Sequence, residues 1–208
     1  MKRAKGVLVM KKMIITIGRQ YGSGGHAIAE KVAEELGIHF YDEAKISASA
    51  QKKGLNVAKK DETKDVTDFG NYLIKKYDPM LQKTEQDEIF DLEEQTILTA
   101  AAEGSAVFVG HCANYVLRDE PDLLSIFIYA PAEFRIRRVM EVYGAADRGR
   151  AIRIIKKTDR TRRNYNRYYS EYEWGGTEGN HFLMDSSIFG IEETARLIAE
   201  IARKHFKE

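Results

Sequence analysis

One short stretch of the sequence, GRQYGSGG, is unusually rich in glycine. Its four glycines are Gly18, Gly22, Gly24 and Gly25. A β-branched run at residues 13–17 precedes the stretch, and apolar residues at helical spacing follow it from Ile28 onward. A strand, a glycine loop and a helix in this order present backbone N–H groups and the positive end of a helix dipole to an anion. A tight turn alone rarely needs so many glycines, so the stretch predicts phosphate binding.

The loop departs from the standard phosphate-binding pattern G-x-x-x-x-G-K-[ST] in two ways. The spacing from Gly18 to Gly24 is one residue too long, and Gly25 stands where the lysine is expected. That lysine normally reaches the outer phosphates, and the hydroxyl that follows it meets Mg²⁺. Arg19 is the nearest cation that could replace the lysine, and Ser23 is the only aliphatic hydroxyl in the stretch.

The charged residues fall into two blocks of opposite sign. With 33 Lys and Arg against 32 Asp and Glu, the formal net charge of the 208 residues is only +1. Residues 61–103 hold 12 acidic and 4 basic residues, whereas residues 131–170 hold 12 basic and 4 acidic ones. Arginine pairs bidentately with phosphate oxygens, so we expect the basic block to supply the positive charge that the glycine loop lacks. The acidic block is read as a largely solvated helical face.

The composition excludes several classes of protein. No segment reaches the roughly 18 apolar residues that a membrane span needs, and the apolar run near the N-terminus is too short for a signal peptide. The single cysteine, Cys112, excludes an internal disulfide. The basic block carries no nucleic-acid recognition motif. We therefore expect a cytoplasmic protein that binds neither a membrane nor a nucleic-acid polymer.

Short apolar runs predict five strands that alternate with helices. The strands are predicted at residues 13–17, 39–41, 106–110, 123–129 and 181–185. The helical patterns cover 28–36, 42–53, 61–103 with its clearest part at 85–103, 111–118, 131–172 with a break near 144–149, and 191–202. This alternation predicts an α/β fold with a parallel sheet and helices on both faces, whose ligands bind at the carboxyl ends of the strands. We expect residues 13–208 to form one domain after a loose extension at 1–12.

Several segments, taken in order, carry a resemblance to a known family. They are GRQYGSGGHAIAEKVAEELGIHFYD, VFVGHCANYVL, IYAPAEFRIRRVME, KKTDRTRRNYNRYYSEYEWG and MDSSIFGIEET. From Met13 to nearly the end, the chain resembles the cytidylate-kinase-like family of P-loop nucleoside monophosphate kinases, in which a loop without the lysine is typical. The resemblance implies a P-loop kinase fold with a helical acceptor-binding insertion at 42–104 and an arginine-rich LID at 144–172.

The same resemblance implies a reaction. ATP with Mg²⁺ would be the phosphoryl donor and a nucleoside monophosphate, CMP or dCMP, the acceptor, with no metal ion held directly by protein groups. Two alternatives stay open. One is a nucleotide-binding protein of kinase fold without catalytic activity, and the other is a kinase that acts on a different small metabolite.

The resemblance also implies roles for individual residues. The expected donor-binding residues are Gly18, Gly22, Ser23, Gly24, Gly25, His26, Arg135 and Arg138. The expected acceptor-binding residues are Asp42, His111, Asp159 and Arg162. The expected catalytic groups are Arg162, Asp159, Arg148 and Arg19. Asp42 has a second interpretation as the N-cap of a helix, a role for which aspartate is well suited.

Two histidines stand where the family usually has arginine. They are His26 in the glycine loop and His111 in the segment VGHCA. The change from arginine to histidine loses a planar group that is always charged. For His111, binding to substrate and a structural role at the end of a strand are equally good interpretations.

Four tyrosines share one stripe of the long basic helix, at spacings i, i+3, i+4 and i+7. They are Tyr165, Tyr168, Tyr169 and Tyr172. Packing against the sheet is the favoured interpretation of this stripe, and stacking on a nucleotide base is the alternative.

Overall fold

A parallel sheet of five strands lies at the centre of the fold. The computed structural model describes residues 11–52 and 83–207. Within these residues the strands are β1 (Ile14–Arg19), β2 (His39–Tyr41), β3 (Ala106–Val109), β4 (Leu123–Tyr129) and β5 (Phe182–Asp185). They lie in the order β2-β3-β1-β4-β5, and every neighbouring pair is parallel. The predicted parallel sheet is confirmed.

Helices connect the strands as the alternation predicts. In the described ranges they are α1 (Gly25–Leu36), α2 (Glu43–Lys52), α3 (Glu85–Glu103), α4 (Ala113–Val116), α5 (Ala132–Glu141), α6 (Arg148–Tyr169) and α7 (Ser186–His205). The predicted break near 144–149 is the connection between α5 and α6. Helix α6 begins there because the carboxylate of Asp147 accepts the N–H of Arg150 and caps the first turn.

Helices cover both faces of the sheet, and the side chains of β1 alternate between them. Ile15 and Ile17 pack in one buried cluster with Ile198 of α7. Ile14 packs in the other cluster with Ile97 of α3. These five side chains are at most 1% exposed, and burying each one stabilises the fold by roughly 1.5–3 kcal/mol. The continuous apolar run of β1 is therefore explained by a strand that is buried on both sides.

The carboxyl ends of β1 and β3 lie side by side. The two strands pair in register up to Ile17 opposite Val109. The next residues along the chain are Gly18, which starts the glycine loop, and Gly110, which starts the turn after β3. The register therefore places the glycine loop beside residues that are about ninety positions away in the sequence.

The tyrosine stripe of α6 contacts helix α3. The rings of Tyr169 and Phe90 stack with centroids 4.0 Å apart. The hydroxyl of Tyr165 donates a hydrogen bond to Glu93 at 2.6 Å, and that of Tyr169 donates one to Asp87 at 3.2 Å. The prediction that the stripe packs against the sheet is wrong for these two rings. Buried tyrosine hydroxyls need acceptors, and the acidic face of α3 supplies them.

Parts of two predicted features lie outside the described residues. They are positions 53–82 of the acceptor-binding insertion, which include half of the acidic block, and positions 1–10 of the N-terminal extension. Across the two stretches that the structure describes, none of the helices combines the length and the apolar character that crossing a bilayer requires.

Candidate functional site

The glycine loop between β1 and α1 has the shape of an anion cradle. Gly22 and Gly24 take left-handed conformations with φ of 80° and 83°, which glycine adopts without strain. Gly24 is also the N-cap of α1 and has no side chain that could cap it. The first amides of a helix have no partner within the helix. Apart from the N–H of Gly25, which bonds to Ser23, the first amides of α1 are therefore available to the phosphates of a nucleotide, which the cradle fits.

The hydroxyl of Ser23 holds the loop in shape. Ser23 is fully buried, and its Oγ donates to the carbonyl of Gln20 at 2.9 Å and accepts the N–H of Gly25 at 3.3 Å. The hydroxyl of Ser186, at the start of α7, donates to the Ser23 carbonyl at 2.6 Å. The only aliphatic hydroxyl of the loop is thus engaged inside the protein.

Arg19 occupies a slot that exists because two neighbouring residues are glycines. A Cβ atom on Gly25 would lie 2.5 Å from the Cβ of Arg19, and a Cβ on Gly110 would overlap its guanidinium nitrogen Nη1. A lysine at position 25 would therefore collide with the arginine side chain. Because of this slot, the side chain of Arg19 passes next to Gly25, which stands where the standard loop has lysine. Its guanidinium then lies at the turn after β3.

Asp159 and Arg135 hold the glycine loop from the side of helices α5 and α6. Asp159 accepts the N–H of Tyr21 at 2.7 Å and a guanidinium N–H of Arg135 at 2.5 Å. Arg135 also donates to the Tyr21 carbonyl at 3.3 Å. Arg138 lies beside the loop as well, since a Cβ on Gly24 would come within 3.5 Å of its Nε. In the structure, Asp159 and Arg135 contact the loop itself.

A cavity of about 280 Å³ opens at the carboxyl ends of β1 and β3, under helix α6. Its lining includes Gly18, Arg19, Gly110, His111, Arg162 and Asn166. Such a cavity lies where parallel sheets bind their ligands. It joins the glycine loop to residues of α6, and both of its arginines were predicted as functional residues.

Arg162 lies where the loop meets the cavity. Its Nη1 donates to the carbonyl of Arg19 at 3.4 Å, and its guanidinium lies 5.6 Å from the centroid of the Tyr21 ring. The structure thus brings together Arg19 and Arg162, two predicted catalytic residues that are 143 positions apart. The contact is to the backbone of Arg19, and both residues line the cavity.

The turn after β3 has an uncommon backbone conformation and lies beside a buried acid. Gly110, His111 and Cys112 have consecutive positive φ values of 80°, 54° and 53°, which cost energy for residues other than glycine. The His111 Nδ1 lies 2.9 Å from a carboxylate oxygen of Glu93, and both side chains are at most 4% exposed. Glu93 also accepts the hydroxyl of Tyr165. Burial, followed by the charge of Glu93, raises the pKa of Tyr165 well above its ordinary value.

Glu93 was missed by the sequence reasoning, which took the acidic block as a solvated face. A signal was present, because Phe90, Glu93 and Ile97 follow one another at i, i+3 and i+7 on one side of a helix. An acid in the apolar stripe of a helix is a candidate for a buried partner. Here the partner is His111, which the sequence did identify.

His26 and Asp42 form a pair outside the cavity. The His26 Nε2 lies 3.1 Å from Asp42 Oδ2, and Asp42 Oδ1 accepts the N–H of Lys45 at 3.0 Å, which caps α2. Burial alone would raise the pKa of Asp42, but the hydrogen bonds from Lys45 and His26 outweigh it and lower that pKa below its ordinary value. The N-cap interpretation of Asp42 is confirmed, and the neighbouring Glu43 lines the cavity instead, as does Glu173.

Arg148 lies on the surface at the start of α6. Two of its guanidinium nitrogens donate to the two carboxylate oxygens of Glu133, each at 2.6 Å, and both side chains are more than half exposed. It is not among the cavity-lining residues. In residues 11–52 and 83–207, no group of three or more His, Cys, Asp and Glu side chains could hold a metal ion.

Comparison with known proteins places this geometry in a family. The model of the cytidylate kinase-like family matches residues 14–188. A cytidylate kinase from Aeropyrum pernix is 29% identical over 185 residues, which cover 88% of this chain and 95% of that protein.

Two solved structures are similar in fold. An uncharacterized protein from Eubacterium ventriosum superposes with a TM-score of 0.71 at 25% identity, over 92% of this chain and 98% of the other. The shikimate kinase from Bacteroides thetaiotaomicron superposes with a TM-score of 0.52 at 10% identity, over 92% and 98% of the two chains. That second likeness shows the fold alone. With a phosphate cradle after β1, a cavity beside it and a family model that spans most of its length, this chain belongs to the cytidylate kinase-like family.

Proposed function

We propose that this protein transfers a phosphoryl group from ATP to a nucleoside monophosphate, with CMP and dCMP as the preferred acceptors. Membership in the family supports phosphoryl transfer by a kinase. The observation that carries the proposal is the meeting of Arg19 and Arg162 between the glycine loop and the cavity. In this arrangement the loop holds the donor phosphates and the cavity holds the acceptor.

Phosphoryl transfer needs little covalent chemistry from the protein, so the main contributions of these residues are positioning and charge neutralisation. The loop amides and the N-terminus of α1 orient the outer phosphates of ATP. Arg19 takes the place of the missing lysine, and Arg162 pairs with the negative charge that spreads over the transferring group. Asp159 and Arg135 act by fixing the loop, so they are positioning residues.

ATP and Mg²⁺ fit the site to different degrees. The cradle suits the phosphates of the nucleotide, as described above. Mg²⁺ neutralises phosphate charge when it binds with ATP, but the Ser23 hydroxyl is already engaged with Gln20 and Gly25. The described residues also contain no metal-binding group of His, Cys, Asp and Glu side chains. We therefore assign the holding of Mg²⁺ to the phosphates of ATP.

The donor base would find apolar contacts at the start of α7. The segment after β5 lies against the loop, because Ser186 bonds to Ser23 and a Cβ on Gly24 would meet Ile191 at 3.1 Å. In this segment Ile188 and Phe189 are 68% and 57% exposed. Large apolar side chains that are exposed beside a cradle offer a surface for a planar base. The arginine-rich segment 144–172 would serve as the LID that excludes water from the reaction.

The test is a coupled assay of ADP formation with ATP, Mg²⁺ and each of CMP, dCMP, UMP, AMP and GMP. We expect turnover that is fastest with CMP and dCMP. Turnover of none of the five by a protein with a cooperative unfolding transition would overturn the proposal.

A nucleotide-binding protein without catalytic activity is the second candidate. It is favoured by the engaged hydroxyl of Ser23 and by Gly25 in place of the lysine. Titration with labelled ATP separates the two candidates, since binding of ATP without transfer to any monophosphate supports the second. A screen of other small metabolites by thermal shift covers the remaining alternative, a kinase with a different acceptor.

A further inference from the structure

Two polar side chains that line the cavity carry buried atoms without a protein partner. Within the described residues, Asn166 Oδ1 and Gln86 Nε2 are buried and make no hydrogen bond to the protein. Asn166 is only 7% exposed, and both residues line the cavity under α6. Buried polar groups nearly always have a partner. Both atoms are therefore able to bond to a ligand that enters the cavity.

The contacts of Asn166 determine what it offers to a ligand. Its Nδ2 lies 3.7 Å from the sulfur of Cys112 and donates to it, which leaves Oδ1 as the acceptor. Asn166 follows Arg162 by one helical turn, or roughly 6 Å along the axis of α6. Both residues line the cavity, so a monophosphate whose phosphate contacts Arg162 has Asn166 within its reach. Gln86 adds a donor from the first turn of α3.

We propose that Asn166 and Gln86 recognise the base of the acceptor and favour cytosine over uracil. Cytosine has an exocyclic amino group that donates, next to a ring nitrogen that accepts, whereas uracil has an accepting oxygen at the place of the amino group. An acceptor on Asn166 and a donor on Gln86 complement the cytosine edge. Uracil would leave Asn166 Oδ1 facing another acceptor. The inference rests on the proposed function, because it takes the acceptor to be a nucleoside monophosphate.

The test measures binding, so that it does not depend on catalysis. Calorimetry gives the Kd of CMP and of UMP for the wild-type protein and for the Asn166→Leu variant. The wild-type protein is expected to bind CMP more tightly than UMP. In the variant, the Kd of UMP divided by the Kd of CMP is expected to be about 10- to 100-fold smaller than in the wild-type protein. Gln86→Leu, on the less buried side of the cavity, is the second variant if Asn166→Leu does not fold.

Asn114→Ala is the matched control. Asn114 also lines the cavity, but its amide nitrogen donates to the carbonyl of Gly179 at 3.0 Å. We expect this variant to keep the wild-type ratio of CMP to UMP affinity. An unchanged ratio in Asn166→Leu and Gln86→Leu would overturn the inference, as would equal binding of CMP and UMP by the wild-type protein. Binding of CMP without phosphoryl transfer would instead overturn the proposed function and leave the base selection standing.

Discussion

The slot around Arg19 predicts that Gly110→Ala reduces activity far more than stability. Gly110 has φ of 80°, and alanine in a left-handed conformation costs roughly 1–2 kcal/mol. The added methyl group would also overlap Nη1 of Arg19. Since this nitrogen is at the end of a flexible side chain, the guanidinium moves and the fold survives. Removing one preorganised donor from a charged transition state costs about 10²–10³ in kcat, which is the upper limit expected for a displaced Arg19.

Gly37→Ala is the matched control for this variant. Gly37 has a similar φ of 65°, and a Cβ atom there would meet nothing within 4 Å. Both variants should therefore lose about 1–2 kcal/mol, seen as a fall of roughly 2–8 °C in Tm. Only Gly110→Ala should lose phosphoryl transfer, measured as kcat with ATP and CMP. In an Arg19→Ala background, Gly110→Ala should cause no further loss of kcat, because the displaced group is already gone. Equal kcat in the two glycine variants, or additive losses in the double variant, would refute the reasoning.

Three further substitutions test other parts of the site. Arg162→Ala should lower kcat much more than Tm, because Arg162 lines the cavity next to the glycine loop and is proposed to pair with the transferring group. A proportionate loss of both would make Arg162 structural. Asp159→Ala leaves the Arg135 guanidinium, whose side chain is only 13% exposed, without its carboxylate partner and the Tyr21 N–H without its acceptor. Urea denaturation should show that the free energy of unfolding falls by roughly 3–5 kcal/mol. A fall of less than about 1 kcal/mol would contradict the role of Asp159 in holding the glycine loop. Because the pKa of Asp42 is lowered in the folded protein, its charge stabilises the fold at pH values above the ordinary pKa of 3.8. This stabilisation disappears as the pH falls through the lower pKa of the folded state. Asp42→Asn should remove that acid-dependent step from the curve of stability against pH, whereas an unchanged curve would exclude Asp42, with its bonds to Lys45 and His26, as the source of the step.

The local elements of the fold could be predicted from the sequence because their signals are local. The β-branched run before the glycine loop marks β1, and Gly37 ends α1 in the left-handed conformation that its position predicts. Helix α3 covers Glu85–Glu103, the part of the predicted helical stretch at 61–103 in which the pattern is clearest. In each case hydrophobic periodicity and a capping residue lie within one element.

The contacts that shape the site could not be predicted, because they join residues that are distant in the sequence. Arg19 was a candidate cation, but its slot depends on Gly110, which only the pairing of β1 with β3 brings near. Asp159 was assigned to a ligand, whereas its carboxylate accepts the N–H of Tyr21, 138 positions away. The sequence predicts Glu93 to lie in a largely solvated face, since nothing local shows that His111 will lie 2.9 Å from it.

The most direct test of the account is a single-turnover experiment with excess enzyme, Mg²⁺, CMP and ATP labelled in its γ-phosphoryl group. The account predicts that the label appears in CDP as ADP forms, and that Arg19→Ala, which leaves the loop glycines in place, slows this transfer. ATP that binds while its label stays in ATP, or is released only as inorganic phosphate, would contradict the proposal that this site transfers phosphoryl groups to a nucleoside monophosphate.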